Sequence, residues 1–367
     1  MNYSRNLAKN FGWRELSIFL MILLALSVLT SYTGYLHDRS ASSNIKYVPR
    51  VPAILNDFYT EVRSKVLEGC GELCDHRILG KPGPFFNFVS KPVDCFALYN
   101  NTHSDAPATL WPPPEGIPEV MLNDFTMDNH IQVEYRYQMQ RYSGAKAMEN
   151  VWTREHIDEL VAQAKASTLE GTYGVYETNT VIRTIREACE NHLQCVKGLH
   201  VMVIGSERPW LEAILLAEGA TSITTLEYGS ITSTHPQVRT MLPSELRKKF
   251  LAGTFEMYDA FATFSSVEHS GLGRYGDTLN PWGDIQAIAK AWCVGKEYAP
   301  MFIGVMPGPD AQNVPGGRIG QDQLTWNLHR QYGKLRWAQM MTNWEQISRG
   351  YGGFQNIHVF RKMPFGT

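Results

Sequence analysis

Gly205, Glu227 and the neighbouring pair Glu268 and His269 are the residues whose types and spacing could do chemistry. Gly205 closes the apolar run His200–Ile204, and Glu227 closes a second run, Ser222–Leu226, 22 residues further on. A glycine just past a strand lets a ligand approach the backbone, and the helix start behind it offers free N–H groups. An acid at the tip of the next strand can accept two hydrogen bonds from ribose hydroxyls. The turn reads Gly205-Ser-Glu-Arg-Pro209 rather than G-x-G-x-x-G, and Glu207 would repel a pyrophosphate. A nucleoside without phosphates, such as S-adenosylmethionine, suits it better. The plainer reading is a βαβ unit with no ligand, since fold does not imply function.

The stretch Ser265–Asp284, SSVEHSGLGRYGDTLNPWGD, is long, glycine-rich and dense in ionisable groups, as active-site loops are. His269 is a candidate general base toward a hydroxyl, with an ordinary imidazole value already near working pH. Glu268, Asp277 or Asp284 would orient or charge it. The competing role for Glu268 and His269 is to tie the loop down. Arg274 and Tyr275 could grip an anionic or sugar substrate, or anchor the loop. A third loop, 307–322, leads into Asn327, His329, Arg330 and Tyr332, which with Asp310 could line the same cleft. His329 is the second candidate base. The chain has no D-x-D, no G-x-S-x-G elbow and no H-E-x-x-H helix, and no Cys/His spacing suited to zinc.

These groups need a scaffold. Trp210–Glu218 has helical spacing and Gly219 sits where a left-handed cap belongs. Val238–Met241, Tyr258–Phe264 and Met301–Val305 read as further strands. Pro243–Ala252 and Asp284–Val294 read as helices between them, and Trp344–Ser348 and Asn356–Phe360 as closing strands. Leu324–Met341 reads as helical in parts. Upstream, Ala53–Leu67 is helical, Thr153 caps a helix over Arg154–Ala166, and Thr178 or Asn179 caps one over Thr180–Asn191. Met121–Tyr142 has no clean period, and Trp111-Pro-Pro-Pro114 reads as a packing strap. Strands alternating with helices predict an α/β, Rossmann-like, mostly parallel sheet with helices on both faces.

The 367 residues carry a net charge of −2, which gives no electrostatic argument for nucleic acid. Leu16–Leu36 has 21 residues and no charge, enough to cross a bilayer as a helix. Arg5, Lys9 and Arg14 ahead of it favour a cytoplasmic N-terminus. A cleaved signal peptide is the rival, against which stand the length of the run and the missing A-x-A site; a buried soluble helix is the third option. The expected layout is a tail over 1–15, a signal anchor over 16–36, a stem over 37–52, an irregular disulfide-containing accessory segment over 53–169 and the Rossmann-like domain over 170–367. The expected partner is thus the membrane, through residues 16–36. A lumenal domain would form disulfides. Cys189–Cys195 and Cys70 or Cys74 with Cys95 are the expected pairs, leaving Cys293 as a buried thiol. Asn100-Asn101-Thr102 is the sequon after the apolar run, expected in an exposed loop.

Gly205, the strand ending in Glu227, and DAFATFSSVEH at 259–269 resemble motifs of class I S-adenosylmethionine-dependent methyltransferases. ERPWLEAILLAEGA, EHSGLGRYGD, NPWGD and WNLHRQYGKLRW resemble the nematode-expanded family called domain of unknown function 268, over about residues 170–362. The resemblance implies a seven-stranded sheet with a reversed last strand. It implies S-adenosylmethionine held by Gly205, Ser206, Glu207, Glu227 and Ser266, with Ser266, Glu268 and His269 facing the transferred methyl. The resulting expectation is a type II membrane protein of the Golgi or endoplasmic reticulum, methylating a glycan or other secreted hydroxyl. A glycosyltransferase-like enzyme and a non-catalytic lumenal binding protein are the alternatives.

Overall fold

The computed structural model describes residues 49–75, 90–104, 107–138, 146–191, 196–311, 320–351 and 354–364. The expected tail, the membrane span 16–36 and the stem up to residue 48 lie outside these. Among the described residues no helix is long and apolar enough to cross a membrane.

Among the described residues twelve strands form in chain order: β1 Gln132–Tyr135, β2 Lys146–Trp152, β3 His200–Ile204, β4 Ser222–Leu226, β5 Ser230–Ser233, β6 Val238–Met241, β7 Ala260–Phe264, β8 Pro300–Val305, β9 Gln323–Trp326, β10 His329–Gln331, β11 Trp344–Tyr351 and β12 Asn356–Lys362. The helices are α1 Asn56–Glu68, α2 Cys95–Asn100, α3 Glu119–Thr126, α4 Arg154–Lys165, α5 Val175–Asn191, α6 Trp210–Ala217, α7 Pro243–Leu251, α8 Gly283–Val294 and α9 Lys334–Met340.

Seven strands make the main sheet, in the order β11-β12-β8-β7-β3-β4-β6. The pairs from β8 to β6 are parallel, whereas β12 runs antiparallel to both β8 and β11. The strands read as apolar runs because both faces are covered. Their side chains alternate between two cores. Val201, Val203, Ala260, Ala262 and Phe302 pack with Ile182, Ile185, Ile214 and Leu215 of α5 and α6. Met202, Phe261, Met301 and Ile303 pack on the other face with Ile285 and Ile288 of α8. Ile204 pairs with Leu226, and the Gly205 amide donates to the Leu226 carbonyl at 2.9 Å. That register sets Gly205 beside Glu227.

Residues 49–367 form one compact unit. Within it, β1 pairs in parallel with β9, and β9 forms a hairpin with β10. Of the stretch 324–341, expected to be helical in parts, only Lys334–Met340 is helix, and the residues before it form this hairpin. The hairpin turns at Asn327, whose φ is 56°, and its carboxamide oxygen accepts the Gln138 amide at 2.6 Å. The proline strap is pinned as expected, with Trp326 Nε1 donating to the Pro114 carbonyl at 3.1 Å. Thr153 caps α4 through the His156 amide. Helix α5 begins earlier than expected, because the Thr178 hydroxyl donates to the Gly174 and Glu170 carbonyls instead of capping.

The disulfides correct the expected pairing. Cys70 bonds Cys74, and Cys95 on α2 bonds Cys293 on α8, 198 residues away. Spacing could not reveal the second bond: α2 lies against α8, where Tyr99 donates to the Lys290 carbonyl at 3.1 Å. Cys189 is disulfide-bonded too, but Cys195, its expected partner, lies outside the described residues.

The Asp284 carboxylate is fully buried in the first turn of α8. It accepts hydrogen bonds from Arg336, including Nε at 3.0 Å, and from the Tyr332 hydroxyl at 3.0 Å, with Arg330 Nε at 3.8 Å. The two guanidinium groups hold its pKa below the ordinary carboxylate value against the cost of burial. Removing one partner of such a cluster leaves uncompensated buried charge. Asp284→Asn should therefore cost about 3–5 kcal/mol of stability in a urea titration; an unchanged midpoint would refute the structural role.

Candidate functional site

A cavity of about 680 Å³ opens beyond the C-terminal ends of β3, β4 and β7, where open α/β sheets bind ligands. Gly205, Ser206, Glu207, Glu227, Ser266, His269 and His329 all line it. Glu268 does not: it is 0 % exposed, on the same 3₁₀ turn as His269 but facing the interior. Burial pushes its carboxyl up to about 7. The expectation that Glu268 faces the reacting group is corrected accordingly.

On one wall, Gly205 has φ 71°, and a Cβ there would collide with the Ser266 side chain. The glycine thus lets the β7 loop close against the β3 loop. Glu227 accepts the Ser206 amide at 2.8 Å through Oε2, and the Tyr228 and Gly229 amides at 2.8 and 3.3 Å through Oε1. Burial pushes its pKa up to about 7 against the pull of these amides. Leu226, Leu246, Tyr99 and Ala291 continue this wall as an apolar slot.

Glu212 escaped the sequence reading. It is 0 % exposed on α6, accepts the Thr225 hydroxyl at 2.7 Å and lies 3.1 Å from Ser206 Oγ. The single Ser206 hydroxyl proton has the Arg208 carbonyl oxygen at 2.8 Å. If it goes there, a protonated Glu212 donates to Ser206 Oγ, consistent with burial raising Glu212 to about 7. An acid within an otherwise apolar helix, WLEAILLA, was the available signal.

The opposite wall comes from the loop after β7 and the β9–β10 turn. His269 Nδ1 donates to the Leu328 carbonyl at 2.6 Å, which leaves Nε2 as an acceptor. Burial, then the positive charge of Arg274, lowers the imidazole to about 3; the Leu328 carbonyl opposes this, and His329 and Arg330 add to it. The expectation of an imidazole titrating near working pH is thereby corrected. His329, with its ring centroid 6.2 Å from that of His269, is lowered to about 4, chiefly by burial and then Arg274. Arg274 lies over the Tyr275 ring at 5.1 Å. Burial raises Glu207, and Arg274 and Arg208 pull it back.

Several other candidates are structural. Asp277 lines the cavity but holds the Gly271 amide at 2.6 Å. Arg330 staples the loop through the Ser270, Asn280 and Pro281 carbonyls, and with Tyr332 it serves Asp284 rather than the cleft. Asp310 accepts the Gln321 amide, while 312–319 of the third loop lie outside the described residues. At the cavity mouth Tyr173 stacks on Phe354 with centroids 5.2 Å apart and bonds Ser265 Oγ at 2.6 Å. Neither aromatic was legible as a site residue.

A Rossmann-like sheet with a reversed penultimate-edge strand, an acid at the tip of its second strand and a cavity at the strand ends define the architecture of class I methyltransferases. Residues 198–358 match the family described as Caenorhabditis protein of unknown function, DUF268, which the chain resembles in the motifs quoted above. Among solved structures, the chain is similar to 1,6-didemethyltoxoflavin-N1-methyltransferase from Burkholderia thailandensis, determined with 1,6-didemethyltoxoflavin and S-adenosylhomocysteine bound. The identity is 14 %, over 57 % of this chain and 90 % of that one, at a TM-score of 0.34. It is also similar to the N-methyltransferase NodS from Bradyrhizobium japonicum, at 9 % identity over 52 % and 97 % of the two chains and a TM-score of 0.33. The fold assignment rests on the strand order itself. No curated protein sequence matches the chain.

The contact between Gly205 and Ser266 is testable without a ligand. Gly205→Ala introduces both a left-handed backbone strain and a collision, and should cost about 1–3 kcal/mol. Adding Ser266→Gly should restore part of the loss in a double-mutant cycle; strict additivity would show that the two loops do not depend on this contact.

Proposed function

We propose that the chain is an S-adenosylmethionine-dependent methyltransferase of the secretory pathway, acting on a hydroxyl of a glycan or other secreted acceptor. One observation carries the reading: the Glu227 carboxylate and the acceptor nitrogen of His269 belong to opposite walls of one cavity at the strand ends. The residues fit the cofactor. Glu227 has lone-pair capacity left for ribose hydroxyls, the slot of Leu226, Leu246 and Ala291 suits a base, and Glu207 suits an ammonium group. Bound there, S-adenosylmethionine supplies an electrophilic methyl group. His269 Nε2 would accept the hydrogen bond of the acceptor hydroxyl, orient its oxygen and take its proton as the oxygen–methyl bond forms and the methyl's bond to the sulfonium sulfur breaks, leaving S-adenosylhomocysteine. Orientation supplies most of the rate gain. The weak basicity of His269 favours a second reading, a lumenal protein that binds the nucleoside without catalysis. Methyl transfer from labelled cofactor to a glycan panel separates the two.

Membrane anchoring through residues 16–36 and a lumenal catalytic domain belong to the proposal, and the disulfides support them. Asn100 is exposed at the end of α2, and it should carry a glycan. A protein expressed through the secretory pathway whose mass does not change on glycosidase treatment would count against that orientation.

Glu227→Ala should weaken S-adenosylhomocysteine binding by about 1.5–3 kcal/mol by calorimetry. It should also lower thermal stability, because three backbone amides lose their acceptor. Unchanged affinity would remove Glu227 from the site.

The lowered value of His269, about 3, keeps the imidazole neutral and able to accept a proton through the physiological range. At saturating cofactor, turnover should therefore show no ascending limb from His269 near the ordinary value of 6.5, and the contribution of His269 should be lost only as Nε2 protonates in strong acid. His269→Ala should lower turnover roughly 10²–10⁴-fold, with His329→Ala as the comparison. Full turnover in His269→Ala would sink the base assignment while leaving cofactor binding intact.

A further inference from the structure

We propose that the acceptor carries an anionic group, a carboxylate or sulfate, next to its reacting hydroxyl, and that Arg274 is the residue that selects it. The proposal rests on the methyltransferase reading of the same cavity and adds the class of acceptor.

Arg274 lines the cavity together with His269, Tyr275 and His329. The Leu328 carbonyl receives both His269 Nδ1, at 2.6 Å, and Arg274 Nη1, at 3.4 Å. One oxygen thus holds the imidazole and the guanidinium side by side. An acceptor whose hydroxyl meets His269 presents its neighbouring substituent to Arg274. The other buried arginines of this region, Arg330 and Arg336, share the Asp284 carboxylate. Among the described residues no carboxylate forms a salt bridge with Arg274, and its Nε is buried without a hydrogen-bond partner. Glu207 and Glu268 act on it electrostatically, but neither bonds it.

A half-buried guanidinium with a buried, unpaired Nε favours an anion beside it, and guanidinium geometry matches a carboxylate or sulfate. The stacked Tyr173 and Phe354, 36 % and 47 % exposed at the mouth, give a ring-bearing acceptor a flat apolar face. Together they describe an acidic sugar or another ring acid with a hydroxyl close to its charge. Such an anion would also offset the Arg274 charge that depresses His269 and His329, so that the correct acceptor makes its own proton acceptor more basic.

The cofactor's amino-acid carboxylate has the same chemistry, and the placement of Arg274 beside His269 favours the acceptor as the source. The test compares glucuronic acid, glucose 6-sulfate and glucose by calorimetry on the full chain, with and without S-adenosylhomocysteine, for the wild type, Arg274→Lys and Arg274→Gln. The wild type should bind at least one acid about tenfold or more tighter than glucose. Arg274→Gln should lose that preference and Arg274→Lys keep part of it, while both still unfold cooperatively and keep the wild-type S-adenosylhomocysteine affinity. The two acids show whether carboxylate or sulfate is preferred. Equal binding of acids and glucose by the wild type overturns the proposal, as does an acid preference that survives in Arg274→Gln. It is also overturned if Arg274→Gln weakens S-adenosylhomocysteine but not 5′-methylthioadenosine, which lacks the amino-acid end, because Arg274 would then serve the cofactor. Wild-type protein that binds no S-adenosylhomocysteine yet prefers the acids removes the methyltransferase reading and leaves the anion site standing.

Discussion

The buried carboxylate of Asp284 is the constraint on which the site depends. It is shared by Arg336 and Arg330, with Asp322 adding negative charge beside the first and Asp277 beside the second, where neither guanidinium could be buried alone. Arg330 is thereby free to spend its other donors on the Ser270, Asn280 and Pro281 carbonyls. Those carbonyls bracket the stretch that carries Arg274 and Tyr275, and Ser270 directly follows His269. Arg330 itself sits in β10, one residue after His329, so the same ion cluster fixes both halves of the wall that carries the two histidines. Charged groups that a sequence reading offers as chemistry act here as the frame that holds the chemistry still.

The central strands were legible because burial on both faces leaves a signature that survives without neighbours: a short β-branched run closed by a glycine or an acid. Val201 and Val203 face one core and Met202 the other, so no polar position interrupts the run. Gly205 and Glu227 were readable for the same reason, since the register that brings them together follows from strands of equal length. The β9–β10 hairpin was not legible. Its stability comes from β1, which pairs with Gln323–Trp326 from the far end of the chain, and local propensity says nothing about a partner that distant. Because the hairpin supplies Leu328 and His329, half of the wall opposite Glu227 was invisible as structure even though His329 was named.

The pair Glu268 and His269 marks a second limit. On a 3₁₀ turn successive side chains diverge by about a third of a revolution, so adjacent residues seldom share a surface. His269 enters the cavity and Glu268 enters the core. Sequence adjacency could name the pair but could not choose between its members. The converse holds for Glu212, which lies distant from Glu227 along the chain yet is joined to it through Ser206: the Ser206 amide bonds Glu227 and its hydroxyl meets Glu212.

That junction gives the Glu227 wall an unusual pH response. Glu212 and Glu227 each rise from the ordinary 4.5 to about 7 on burial, as does Glu268. A carboxyl raised in the folded state contributes stability below its unfolded value, and that contribution is lost as pH climbs through 7. His269, His329 and His358 are displaced the other way, to about 3, 4 and 3, each chiefly by burial. An imidazole lowered in the folded state contributes stability above its unfolded value of 6.5 and loses it as pH falls toward the folded value. Between about 4.5 and 6.5 these two sets oppose one another and their contributions to stability largely offset. The charge of the Glu227 wall does not share this cancellation. Its acids ionise around neutrality while the imidazoles opposite stay neutral throughout, so a rise in pH makes this wall selectively more receptive to a cationic ligand.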